Sequence, residues 1–228
     1  MQQTALNLIA IGVFLMTMTS LLGGIFQLSP FVPAGITAAV MAFATMDTFN
    51  WQGRGMTLFL DLFTPAEQRQ RILHHEAGHF LAGYLLSIPI TGYSLTPWEA
   101  IKQGQTGQGG VSFDLESVEA SLKNPQQMNL LLERLSTTLM AGIAAETTIY
   151  GKALGGANDR DQLRQLLAKL GISVASYQQR EQWALLQAKN LLDRHQDAFQ
   201  NLVTAMADRA PLEECYRLIK QDSSERST

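Results

Sequence analysis

The chain has 228 residues, with 20 acidic and 17 basic side chains, a formal net charge of −3 and one cysteine. This charge balance gives no reason to expect nucleic acid as a partner, and a lone cysteine, Cys215, excludes an internal disulfide framework. Charge is unevenly placed: residues 1–46 contain no Asp, Glu, Lys or Arg.

In chain order, residues 5–26 form an apolar run about as long as the roughly 20 residues a helix needs to cross a bilayer, and are read as a membrane span. A second run, 31–49, is interrupted by Pro33 and Gly35 and carries Asp47, so it reads as a returning or re-entrant segment. A cleaved signal ending at Ala42-Phe43-Ala44 is disfavoured, because no Lys or Arg precedes the first run. A buried helix of a soluble domain is the plainer alternative. Arg54, Arg69 and Arg71 follow the second run and favour the cytoplasmic face for what comes next. The expectation is an integral membrane protein in contact with lipid. Its parts are a membrane anchor over 1–49, a linker over 50–63, one domain over 64–221 and a disordered tail over 222–228.

Thr64-Pro65-Ala66-Glu67 joins a capping-box pattern to Pro at the first helical position, so a helix starts there and runs to about Leu86. It contains His75-Glu76-Ala77-Gly78-His79. On a helix, residues four apart share a face, so His75 and His79 present two imidazoles to one metal ion, with Glu76 a step around the axis. This HExxH pattern is the layout of a zinc hydrolase, in which the carboxylate serves as general base. Gly78 in mid-helix predicts the close approach of a second helix.

Two short strands follow, over 90–96 and 111–113, as a hairpin with a long Gly- and Gln-rich loop; one strand could offer an open edge to an extended peptide. Asn124-Pro125 starts a long helix with apolar Leu130, Leu131, Leu135, Leu139 and Ile143, ending near Gly151. After a Gly155-Gly156-Ala157 turn, Asn158 or Asp159 caps a helix closed by Gly171. Three more helices are expected, over 176–193, 195–209 and 211–221. Cys215 reads as a small core residue on the last of them.

Catalytic zinc usually keeps three protein ligands, so His75 and His79 need a partner from elsewhere. His74 points about 100° away from His75 on the helix, and His195 stands between Arg194 and Gln196 as an exposed helix-start residue. Two carboxylates remain open as candidates, Glu146 and Asp159.

The sequence resembles the FtsH-type membrane-anchored zinc peptidases in three pieces: His75 to His79, Ala141-Gly142-Ile143-Ala144-Ala145-Glu146, and Gly156-Ala157-Asn158-Asp159. The strand around Tyr93 to Pro97 and Gly110-Val111-Ser112-Phe113 is similar to that family's substrate-side hairpin. The resemblance implies a mainly α fold: an N-terminal transmembrane helix or hairpin, then an FtsH-like helical peptidase domain with a small β-hairpin. It implies Asp159 as third zinc ligand and Glu146 as a supporting residue. Members carry an ATPase module before the peptidase; here only residues 47–63 fill that place, and no G-x-x-x-x-G-K-[ST] pattern occurs. Ile143 stands where the family often has Arg, and Leu154-Gly155 where it has Thr-Thr.

The leading expectation is an ATP-independent, membrane-anchored zinc metalloendopeptidase. His75, His79 and Asp159 hold the metal, Glu76 is the catalytic base, and flexible or unfolded proteins and peptides are the substrates. A homo-oligomer, or an ATPase partner acting in trans, would widen that range. The alternatives are a non-proteolytic, peptidase-like membrane assembly factor or binding subunit, and a site-2-type intramembrane metalloprotease. Against the last stand the charges of Glu67, Arg69 and Arg71 beside the motif and the lack of an Asn-Pro-Asp-Gly segment.

Overall fold

The computed structural model describes residues 2–25, 29, 31–50, 55, 58, 61, 64–104, 109–114 and 125–225. The chain divides into two compact units, Met1–Phe63 and Thr64–Thr228.

The first unit holds α1 (Gln2–Ile25) and α2 (Phe31–Asn50), which pack on each other with Gly12 facing Met41. Among the described residues, no helix is long and apolar enough to cross a membrane. This corrects the expected N-terminal transmembrane helix or hairpin, and with it the expected placement as an integral membrane protein with a cytoplasmic-side domain. In α2, Asp47 is buried and accepts a hydrogen bond from Gly55 N–H at 2.7 Å.

Among its described residues the second unit is helical apart from one two-stranded sheet. Its elements are α3 (Ala66–Leu85), β1 (Ile90–Ser94), α4 (Pro97–Lys102), β2 (Gly110–Phe113), α5 (Pro125–Tyr150) and α6 (Ala157–Lys169). A 3-10 turn (Val174–Ser176), α7 (Tyr177–Arg194), α8 (Gln196–Ala207) and α9 (Leu212–Glu225) complete it. Helix α5 is the central post, packed against α3 on one side and α7 on another, while α8 joins α3 to α9. The core lies among these helices and includes Phe80, Leu81, Met140, Ile143, Leu163, Leu167, Leu202, Met206 and Ile219, each no more than 2 % exposed.

Several boundaries differ from the sequence reading. Pro65 takes the N-cap place of α3, one residue after the expected Thr64, and Glu67 pairs with Arg71 four residues on (3.3 Å). Between the strands lies a helix that the loop reading overlooked, although Thr96-Pro97-Trp98-Glu99 is itself a capping sequence. Thr96 Oγ1 accepts from Glu99 N–H, and Glu99 Oε2 accepts from Leu95 N–H. Residues 105–108 of the connection, and Asn124 as the cap of α5, lie outside the described residues. Helix α9 continues to Glu225, through part of the tail expected to be disordered.

The contact between α3 and α5 depends on small residues. A Cβ on Gly78 would come within 2.6 Å of Ala141 O and 2.9 Å of Ala145 Cβ, so the glycine lets the two backbones approach, as its mid-helix position predicted. Cys215 is fully buried in the core, where desolvation pushes its thiol up to about 11 and keeps it protonated at neutral pH.

Candidate metal centre

One turn of α3 presents His75 and His79, 8 % and 5 % exposed, with ring centroids 4.7 Å apart. The i, i+4 spacing puts both rings on the face that meets α5. The turn after α5 delivers the third group. Gly156, in the left-handed region at φ 90°, is the N-cap of α6, so Asp159 falls in the first helical turn instead of at the cap. From there its carboxylate reaches both rings: Oδ2 lies 3.0 Å from His75 Nε2 and Oδ1 3.5 Å from His79 Nε2.

The far side of each ring is fixed. His75 Nδ1 lies 2.8 Å from Glu146 Oε1, and His79 Nδ1 lies 2.8 Å from the carbonyl oxygen of Thr138. Both partners only accept, so each Nδ1 carries a hydrogen and each Nε2 of a neutral ring keeps its lone pair for the centre. Glu146, 3 % exposed, also accepts from Leu154 N–H (2.9 Å) and Gly155 N–H (3.2 Å). One carboxylate therefore ties the orientation of His75 to the turn that carries Asp159.

Two imidazole lone pairs and a carboxylate aimed at each other repel unless a cation lies between them. The spacing suits such an ion: two bonds of about 2.0–2.1 Å at a tetrahedral angle put their donor atoms about 3.3 Å apart, between the two separations observed. Among the described residues, His75, His79 and Asp159 form a group whose ligand atoms all lie within 4.8 Å of one another, and this group could hold a metal ion. Imidazole and carboxylate ligands suit several first-row divalent ions.

Electrostatics agree with the geometry. Burial opposes a charge on His75, but hydrogen bonds to Asp159 and Glu146 and the nearby charge of Glu76 outweigh it, pushing the imidazole up from 6.5 to about 10. Burial also opposes ionisation of Asp159, yet its bonds to His75 and His79 hold it well below the usual carboxylate range. Glu146 is lowered too: burial is overcome by the bonds from His75 and from the backbone of Leu154. A proton on His75 thus does for the metal-free group what a cation would do.

Of the residues singled out in the sequence, His75, His79 and Asp159 come together, with Glu76 beside them on α3. Glu146 stands behind His75 as a hydrogen-bond acceptor outside the ligand group. His74 faces Tyr150, whose hydroxyl lies 2.9 Å from its Nδ1, and His195 sits at the junction of α7 and α8; neither is part of the group.

Three contributors were not foreseen. The carbonyl of Thr138 and the amide of Val111, which donates to Glu76 Oε2 at 2.9 Å, are backbone groups with no signature in side-chain identity. Gly142 is the third: a Cβ there would press on His75 Nε2 and lie 2.5 Å from His79 Nε2. Its signal was available, since Ala141-Gly142 faces a glycine already expected to meet a second helix.

Fold and site together define a class, a mainly helical domain with a buried His-His-Asp group able to hold a metal ion. No model of a known protein family matches the chain, and no curated protein matches it.

Proposed function

We propose that the second unit is a zinc-dependent metallopeptidase of FtsH-like type, cleaving flexible or already unfolded polypeptides without ATP. The observation that carries this reading is the convergence of His75 Nε2, His79 Nε2 and the Asp159 carboxylate next to Glu76, a carboxylate outside the ligand group. A scaffold has no need of that fourth group.

In this reading His75, His79 and Asp159 hold the zinc. Zinc supplies Lewis acidity there, polarising a peptide carbonyl and making water acidic enough to ionise near neutral pH. Glu76 supplies the proton traffic. Its carboxylate takes the proton of the attacking water and returns it to the departing amine nitrogen. Glu146 and the Thr138 carbonyl keep both rings turned toward the centre. Residues 1–228 carry no G-x-x-x-x-G-K-[ST] pattern, in keeping with substrates that are already extended.

The test is cleavage of an unstructured protein such as casein by the zinc-loaded full chain, beside Glu76→Gln and Asp159→Ala. The expected result is peptide release by the wild type, a loss of about 100-fold or more in Glu76→Gln with zinc retained, and loss of zinc in Asp159→Ala. A zinc-loaded wild type that cuts nothing, or a Glu76→Gln variant that cuts equally well, overturns the reading.

A further inference from the structure

The helical turn that carries Asp159 has little of its own to hold it. Helix α6 starts at Gly156 without a side-chain cap, and Ala157 and Asn158 are exposed. Its buried apolar side chains, Leu163 and Leu167, come one and two turns after the ligand. Gly156 rests on Ile143 of α5. Beyond that, two carboxylates grip the segment, one on each side of Asp159. Ahead of the helix, Glu146 of α5 accepts from Leu154 N–H and Gly155 N–H. Immediately after Asp159, Arg160 donates from Nε to Glu181 Oε1 on α7 at 2.8 Å.

The place of Arg160 in the helix gives this second grip its leverage. Its backbone N–H bonds to Gly156 O at 3.1 Å and closes the turn in which Asp159 sits, so a hold on Arg160 is a hold on that turn. The pair is partly withdrawn from water, with the two side chains 34 % and 24 % exposed, where an ion pair acts more strongly than at an open surface. Arg164, one turn further on, is looser: it stands 3.9 Å from Glu181 Oε2, is 53 % exposed and also pairs with Asp161.

We propose that Glu181, acting through Arg160, is a positioning residue for the third metal ligand. The ion pair fixes the first turn of α6 on α7 and so sets the aim of the Asp159 carboxylate at His75 and His79. Glu181 also offsets the guanidinium charge, which standing alone beside Asp159 would repel a divalent ion. Helix α7 thereby takes part in the centre without supplying a ligand. The inference rests on the zinc reading of the group and not on peptidase activity.

Zinc affinity of the full chain, measured by competition with a chromophoric chelator, tests this in Arg160→Gln, Glu181→Ala and the double variant. Each single change is expected to weaken zinc binding about three- to tenfold. The double variant should bind no more weakly than Arg160→Gln, because Glu181 acts only through that arginine. Arg164→Gln keeps the inner pair and should stay within about twofold of the wild type. Cobalt in place of zinc reads the ligand geometry: its visible bands should change in Glu181→Ala and stay unchanged in Arg164→Gln. A pair that merely stabilised the fold would lower the urea midpoint and leave the cobalt bands as they are. Wild-type affinity and cobalt bands in the single variants, losses that add in the double variant, or an Arg164→Gln loss equal to that of Arg160→Gln each overturn the proposal while the zinc reading stands. A wild type that takes up neither ion overturns both.

Discussion

Gly142 lies directly against His75: any Cβ at position 142 would press on the imidazole at Nε2 and Cδ2 and come within 2.5 Å of His79 Nε2. The space in which a metal would be bound is thus kept open by the absence of one methyl group on the facing helix. Gly142→Ala is expected to abolish stoichiometric zinc binding and to destabilise the domain by about 1–3 kcal/mol, as overpacking does. Metal content after dialysis and a urea unfolding midpoint check the two effects.

Glu146 holds His75 by Nδ1 and the following turn by two backbone amides. Glu146→Gln keeps the shape and one acceptor oxygen but removes the charge. The expected result is a folded protein whose zinc affinity is about 10- to 100-fold lower, the usual cost of losing a ligand's supporting carboxylate. A competition titration against a chromophoric chelator measures it, and unchanged affinity would show that the charge of Glu146 does not act on the ligand.

The ionisation of the metal-free group sets a pH window. His75 is raised from 6.5 to about 10, so its contribution to stability is complete below about 6.5 and is lost as pH rises through 10. Asp159 and Glu146 are lowered, so their contributions hold above their ordinary values of 3.8 and 4.5 and are lost as pH falls. Metal-free protein should therefore be most stable between about 4.5 and 6.5. Urea midpoints across pH test that maximum.

The same proton has to leave His75 before Nε2 can bind a metal. At pH 7, zinc binding should release about one proton, and affinity should climb with pH toward the raised value of about 10. Calorimetry in two buffers of different ionisation enthalpy counts the proton. Zero release contradicts the assignment of a charged His75.

Ser87 follows α3 with a φ of 58°, a left-handed conformation in a residue with a side chain. Its amide bonds to Tyr84 O and that of Ile88 to Gly83 O, the pattern that closes a helix and favours glycine. The residue is exposed. Ser87→Gly is expected to stabilise the domain by about 1 kcal/mol, visible as a higher unfolding midpoint with unchanged metal content.

The sequence by itself determined what local geometry controls. Four-residue spacing placed His75 and His79 on one helical face. Pro125 and Gly171 marked helix limits, and Gly78 announced a close neighbour. The short helix α4 was overlooked because its six residues were taken for a loop, despite the Thr96–Glu99 cap. An apolar composition over residues 5–26 suggested a span, which the described helices do not supply. Residue type and spacing left Glu146 and Asp159 both open, the resemblance to the FtsH-type peptidases implied Asp159, and the tertiary structure brings Asp159 into the group. Both are carboxylates more than 70 positions from His75, and no local rule separates them. Packing of α5 on α3 through Gly78 and Gly142 puts Glu146 behind the ring at Nδ1, and the turn at Gly156 brings Asp159 round to Nε2. The Thr138 carbonyl and Val111 amide entered the same way, since every residue type but proline carries such backbone groups and only folding decides which ones reach a site.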